Sequence, residues 1–265
     1  CWGYIAREKE VSWSNQGKAE FKMKPSEKIA HNPKYLSAEA KASSREDVPQ
    51  YMQEVYHWAY LNPRNVALLD RNLVFNGLLF GNGQRMIRAY LQEIEAGMRV
   101  WQVAHVYGDV INQVAEKLGA TGQFHLTDVT AAQIARAHGK IGHLPQASIF
   151  HSDAAHWQGR DYDVACSFFL LHEIPEDKKH AVVNRMIQAI QPAGKLIFID
   201  YHRPKFWQPV GWILRLINIK IEPFSNALWH KEISQYADDA DAFDWHKRTI
   251  FGGVYQIVTA TRKQA

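Results

Sequence analysis

Polar side chains able to do chemistry gather at five places where apolar runs stop: Tyr107-Gly108-Asp109, Asp128, Asp153, His172-Glu173 and Asp200-Tyr201-His202. An acid about 20 residues beyond a tight glycine turn is where a nucleoside ribose is usually held, which marks Asp128. Asp153 is expected near the base of the same nucleoside, with Tyr107, Gly108 and Asp109 completing its binding loop. Two imidazoles with two carboxylates can serve as general acid and base, or can hold a hard divalent ion such as manganese or magnesium. His172, Glu173 and Tyr201 are therefore expected to be catalytic, and Asp200 and His202 to be metal ligands. Glu222 and His230 are further candidates. The plainer alternative stands beside these readings, since a single His or Asp at a strand end is commonly a cap or turn residue.

The elements that must position these groups follow one rhythm. An apolar strand is expected over residues 100–106, a helix over 110–118 stopped by Gly119, and a second strand ending at Asp128. A helix over 131–137 and strands over 147–150 and 163–169 come next. Pro175 opens a helix with Glu176 and Asp177 in its first turn, as the helix dipole favours. A fifth strand covers 195–199, and residues 245–250 and 254–261 flank Gly252-Gly253 as a hairpin. Strand-helix alternation of this kind implies a parallel sheet with right-handed crossovers, and ligands in such sheets lie at the carboxyl ends of the strands. The layout, α/β and Rossmann-like with a closing C-terminal hairpin, is that of the class I S-adenosylmethionine (SAM)-dependent methyltransferases. The loop after the first strand departs from that pattern. Only Gly108 remains of the expected glycines, Ala104, His105, Val106 and Tyr107 stand where small residues are usual, and Gln102 stands where an acid is common.

Composition bounds the rest. A chain of 265 residues, 46% hydrophobic and 22% charged, has room for one large α/β domain with appendages. The net charge of +4 is too mild for a nucleic-acid-binding domain, although a local basic patch can meet anionic lipid. Cys1 and Cys166 form neither a disulfide framework nor a metal-binding pair. The first residue is Cys1, which leaves any upstream targeting segment open.

Residues 1–47 read as a flexible or loosely docked extension. Residues 48–96 read as a helical lid whose large apolar side chains either line a pocket or pack on the sheet. The methyltransferase-like domain is expected over 97–265, with an apolar insertion at 203–232. Within that insertion, residues 206–221 are heavily apolar with two tryptophans, are too short and interrupted to span a bilayer, and carry two basic side chains suited to the headgroup region. A buried crossover helix is the alternative.

Several stretches resemble one family closely, the rhodoquinone biosynthesis proteins RquA. They are Tyr56-His57-Trp58-Ala59-Tyr60 with Asn62-Pro63, Val103-Ala104-His105-Val106-Tyr107-Gly108-Asp109, residues 168–175 through His172-Glu173, Asp200-Tyr201-His202 with Pro204, and Glu222-Pro223-Phe224 with Leu228-Trp229. The resemblance implies conversion of ubiquinone to rhodoquinone by exchange of a ring methoxy group for an amino group, with SAM as amino donor and Mn2+ required. It implies a cytoplasmic protein peripherally associated with the inner membrane, with quinones as partners and no nucleic acid. Two rivals remain: an ordinary quinone O- or C-methyltransferase, and a non-catalytic SAM-fold subunit of a quinone-synthesis complex.

Overall fold

A computed structural model describes residues 69–214 and 224–263. The strands are β1 (Arg99–Gln102), β2 (Gln123–Asp128), β3 (Ala147–His151), β4 (Tyr162–Phe168), β5 (Ile190–Tyr201), β6 (Phe243–Ile250) and β7 (Tyr255–Arg262). They form one sheet in the order β3-β2-β1-β4-β5-β7-β6, in which β3, β2, β1, β4 and β5 run parallel and β7 is antiparallel to both neighbours. The expected alternation and closing hairpin are both present. Gly252 and Gly253 take positive φ at the hairpin turn, a conformation that glycine adopts without strain.

The helices are α1 (Asn72–Leu78), α2 (Gly83–Leu91), α3 (Val110–Leu118), α4 (Ala131–Ile141) and α5 (Glu176–Ala189). Alternation along the strands separates two cores. Val100 faces the apolar layer containing α2, α3 and α4, whereas Trp101 faces the layer containing α5. The α3 boundaries match the sequence expectation, with Gly119 at φ +66 after its last turn. Helix α4 runs four residues further than expected, to Ile141, because Ile141 returns to the core face one turn after Ala137.

β1 is shorter than its apolar run. It ends at Gln102, whose side-chain amide donates to the Ala104 carbonyl at 3.0 Å, and Asp128 draws the His105 amide out of strand register at 3.0 Å. Within the expected helical lid, helix α1 stops before Phe80 and Gly81, which both have positive φ. Residues 210–214 are helical. The expected extension 1–47, the first part of the helical lid through residue 68, and insertion residues 215–223 lie outside the described residues. Among the described residues, no helix is long and apolar enough to cross a membrane.

Candidate active site

The loops that leave β1, β2, β3, β4 and β5 share one edge of the sheet, because those strands are parallel. After β4 the chain turns through Phe169, held at φ +55, into a short 3-10 turn at Leu171–Glu173. The side chain that organises this turn comes from the end of β5. Asp200 Oδ2 accepts from the Leu171 amide at 2.9 Å and the His172 amide at 3.3 Å. Its Oδ1 lies 2.7 Å from His172 Nδ1 and accepts from the Tyr201 amide, also at 2.7 Å. A carboxylate can only accept, so Nδ1 carries the proton and Nε2 bears the lone pair in the neutral ring. His172 Nε2 is 3.6 Å from Glu173 Oε1. His172, Glu173 and Asp200 are all buried.

Aromatic rings box this dyad. Tyr201 and Phe169 stand edge-on to the His172 imidazole at centroid distances of 4.8 and 5.6 Å. Tyr255 packs against Tyr201 at 5.6 Å and Phe251 stacks with Tyr255 at 6.2 Å. Burial pushes the Tyr255 phenol upward and keeps it neutral. The wall offers flat apolar faces with few charges, which suits a planar ring.

The second centre lies after β1 and β2. Asp128 is buried, and burial raises its pKa against the pull of its hydrogen bonds. Its Oδ1 accepts from the Thr130 amide at 2.8 Å and hydroxyl at 2.9 Å, and its Oδ2 from the His105 amide. A carboxylate offers about four acceptor positions, so these three leave about one, on Oδ2. Gln133 lies close enough to His105 and Tyr107 to interact weakly with both, yet the ring nitrogens of His105 and the side-chain polar atoms of Gln133 make no hydrogen bond of ordinary length and angle. Burial lowers the His105 pKa to about 3 and raises that of Tyr107. The negative charges of Glu173, Asp128 and Asp70 raise the Tyr107 phenol further.

Residues 100–194 match the family of methyltransferase domains. The ubiquinone/menaquinone biosynthesis C-methyltransferase UbiE of Laribacter hongkongensis is 20% identical over 212 residues, covering 78% of this chain and 82% of that one. UbiE of Chromobacterium violaceum is 22% identical, covering 67% and 70%. Among solved structures, human N-acetylserotonin methyltransferase in complex with SAM superposes with a TM-score of 0.54 at 14% identity, over 89% of this chain and 69% of that one. A putative O-methyltransferase from Nostoc punctiforme gives 0.53 at 16% identity, over 68% and 55%. The fold is that of the SAM-dependent methyltransferases.

That fold implies SAM, and the corner around Asp128 fits it. A vacant acceptor position on a buried acid suits a ribose hydroxyl, and the weakly engaged polar atoms of His105 and Gln133 are donors and acceptors that buried groups rarely leave unused. Gly108 plays a different part from the one expected. Its amide donates to Asp70 at 3.0 Å, its carbonyl accepts from Lys140 at 2.5 Å, and Phe75 packs where a Cβ would project. Asp70 also accepts from Arg136 and Lys140. Gly108 thus ties Asp70, just before α1, to the loop after β1. Asp109 accepts from Asn112 and Gln113 of its own helix α3, and Asp153 caps the short turn at Ala154–His156 through the Ala155 amide. Both serve local structure.

The metal expectation does not fit this arrangement. Both Asp200 oxygens are committed to the 171–173 turn and Tyr201, and the His202 ring bonds the Gly253 carbonyl at 3.0 Å. No group of three His, Cys, Asp or Glu side chains placed to hold a metal ion occurs among the described residues. Asp200 is instead the partner of His172. His230 is exposed beyond a 3-10 turn, and Glu222 lies outside the described residues. Sequence reasoning missed His105, Gln133, Asp70 and Phe169. For His105 the signal was present as a bulky residue in a loop that normally excludes one.

Proposed function

We propose that this protein is a SAM-dependent enzyme acting on a polyprenyl quinone, and that it exchanges a ring methoxy group of ubiquinone for an amino group to give rhodoquinone. The observation that carries the reading is the buried His172–Asp200 dyad inside an aromatic box, facing the same sheet edge as Asp128. The named relatives act in ubiquinone and menaquinone biosynthesis, which supports a quinone ring as substrate. The choice of amination rests on the RquA-like stretches and on a nucleotide loop whose His105-Val106-Tyr107 departs from the glycine-rich form.

SAM, when bound, supplies the transferred group. Asp128 would take a ribose hydroxyl, and His105 with Gln133 would meet further polar atoms of the nucleoside. The protein's remaining work is to orient the ring and move protons. Exchange of methoxy for amino is addition followed by elimination at the ring: a C–N bond forms, a proton leaves nitrogen, and the C–O bond breaks with methoxide departing as methanol. A second elimination then frees the nitrogen: its bond to the donor carbon breaks, the neighbouring carbon loses a proton to form a C=C bond, and nitrogen takes up a proton. His172 Nε2 can accept the first proton and return one to the leaving oxygen, with Asp200 stabilising the imidazolium between the two events. Glu173 adds negative charge on the Nε2 side. Phe169, Tyr201 and Tyr255 exclude water around the ring. Manganese dependence, which the resemblance implies, gains no support from Asp200 and His202, and no step is assigned to it.

Similarity to the UbiE enzymes favours a second reading, ring C-methylation, in which His172 accepts the proton displaced from the ring. Turnover with SAM of a ubiquinone analogue and of its counterpart lacking the ring methyl group, followed by product mass, separates the two. Loss of methoxy with gain of nitrogen supports amination, and gain of a methyl group supports methylation.

A further inference from the structure

Between Asp200 and Glu222 the chain carries four cations, Arg203, Lys205, Arg215 and Lys220, and no acid. In the described part of that stretch, four large apolar side chains face solvent: Phe206 is 95% exposed, Trp207 58%, Trp212 67% and Ile213 50%. A folded surface rarely gathers so many in eight residues without a use for them. The segment is fixed in place. The His202 amide donates to Val254, the Lys205 amide to Gly252 at 2.8 Å, and the Gln208 side chain to Phe251 at 3.0 Å, so the patch is pinned to the β6–β7 turn. Trp207 lies against Gly252, where an added Cβ would come within 3.0 Å of its ring.

This position ties the patch to the dyad. Phe251 stacks with Tyr255, Tyr255 packs on Tyr201, and Tyr201 stands edge-on to His172. Phe80, just beyond α1, also stacks with Phe251 at 6.0 Å. A continuous run of aromatic side chains therefore leads from the exposed rim to the reacting centre. Tryptophan with Lys or Arg belongs at the headgroup boundary, and phenylalanine and isoleucine belong just beneath it.

We propose that residues 203–214 form a docking surface for an anionic lipid bilayer, seating the active-site rim on the membrane so that a quinone ring passes along the aromatic run to His172. The charge pattern selects the occupant: cations without acids complement anionic headgroups, which a second copy of this chain, net positive itself, does not. The inference rests on the quinone reading for what travels along the run, and on the patch alone for the docking.

The test uses the full chain and vesicles of phosphatidylglycerol and phosphatidylcholine, with pure phosphatidylcholine vesicles as the comparison. Cosedimentation with the anionic vesicles, weakened at high salt and in their absence, is expected. The double variant Phe206→Ser/Trp212→Ser should lose tenfold or more of that binding, and Lys205→Glu should lose severalfold with no apolar change at all. Both should keep wild-type turnover of a short-tailed, water-soluble quinone. Wild-type protein that stays in solution with anionic vesicles, or variants that bind them as well as wild type, would overturn the docking surface. So would a dimer that the serine variant converts to monomer without any effect on vesicles. Absence of turnover on the soluble quinone in wild type, with vesicle binding intact, would sink the quinone reading and leave the docking surface standing.

Discussion

His172 and Asp200 stand 28 residues apart in the chain and meet at 2.7 Å, with the carboxylate also bonding the two backbone amides that shape the turn carrying the imidazole. One side chain thus sets both the tautomer of the base and the position of its ring. Replacing it should separate those roles from binding. Asp200→Asn is expected to lower kcat by ~10²–10⁴-fold while leaving the SAM dissociation constant within a factor of about 2. His172→Ala should cost about as much, and the double variant little more than either, because the two act as one unit. Steady-state kinetics with calorimetric SAM binding checks this. Multiplicative losses in the double variant would mean that the two residues act separately.

Asp128→Ala should weaken SAM binding by about 1–3 kcal/mol through loss of an acceptor for a ribose hydroxyl. It should also lower the melting temperature of the unliganded protein, since the same carboxylate holds the His105 amide and Thr130. Unchanged affinity alongside a lowered melting temperature would make Asp128 a purely structural cap.

The Asp70 clamp should govern stability. Asp70 is buried and accepts from Gly108, Arg136 and Lys140, so Asp70→Ala leaves the half-buried Lys140 without its anion. Breaking a buried pair typically costs 3–5 kcal/mol, and the partial exposure of Arg136 places the expected loss near the lower end, about 3 kcal/mol. Gly108→Ala should cost ~1–2 kcal/mol for its φ of +78 and about 1–3 kcal/mol more for collision with Phe75. Denaturant titration of both variants reads these values.

Acid should destabilise the protein through His105. The fold keeps this ring neutral, with its pKa lowered from 6.5 to about 3, whereas the unfolded chain protonates it below 6.5. The unfolded state therefore binds the extra proton between those values, and stability falls as pH drops through that window. At pH 5 the loss from this residue is ~2 kcal/mol relative to neutral pH. His125, lowered to about 4 by burial, acts in the same direction. Melting curves at pH 7 and pH 5 should show the drop, and His105→Gln should flatten it.

Local pattern carried much of this fold. The periodicity of Val110–Leu118 and the stop at Gly119 fall where the helix lies, and Gly252-Gly253 marks the hairpin turn. What escaped was set by distant partners. β1 ends at Gln102 because Asp128, far along the chain, captures the His105 amide. The residues of the site were legible as a set, since strand ends in a parallel sheet must share an edge, but their pairing was not. Asp200 reads equally well as a metal ligand or as a histidine partner until the β4–β5 register brings Leu171 and His172 over its oxygens. The Asp70 clamp left no local trace at all, since its members are separated by 38 to 70 residues.

The most direct test of the central claim is turnover of a ubiquinone analogue, supplied together with its counterpart lacking the ring methyl group, with SAM labelled at once with nitrogen-15 in its amino group and carbon-13 in its methyl group. The quinone product should carry nitrogen-15, lack one methoxy group and contain no carbon-13. Carbon-13 in a product that retains both methoxy groups would contradict amination and make the protein a quinone methyltransferase.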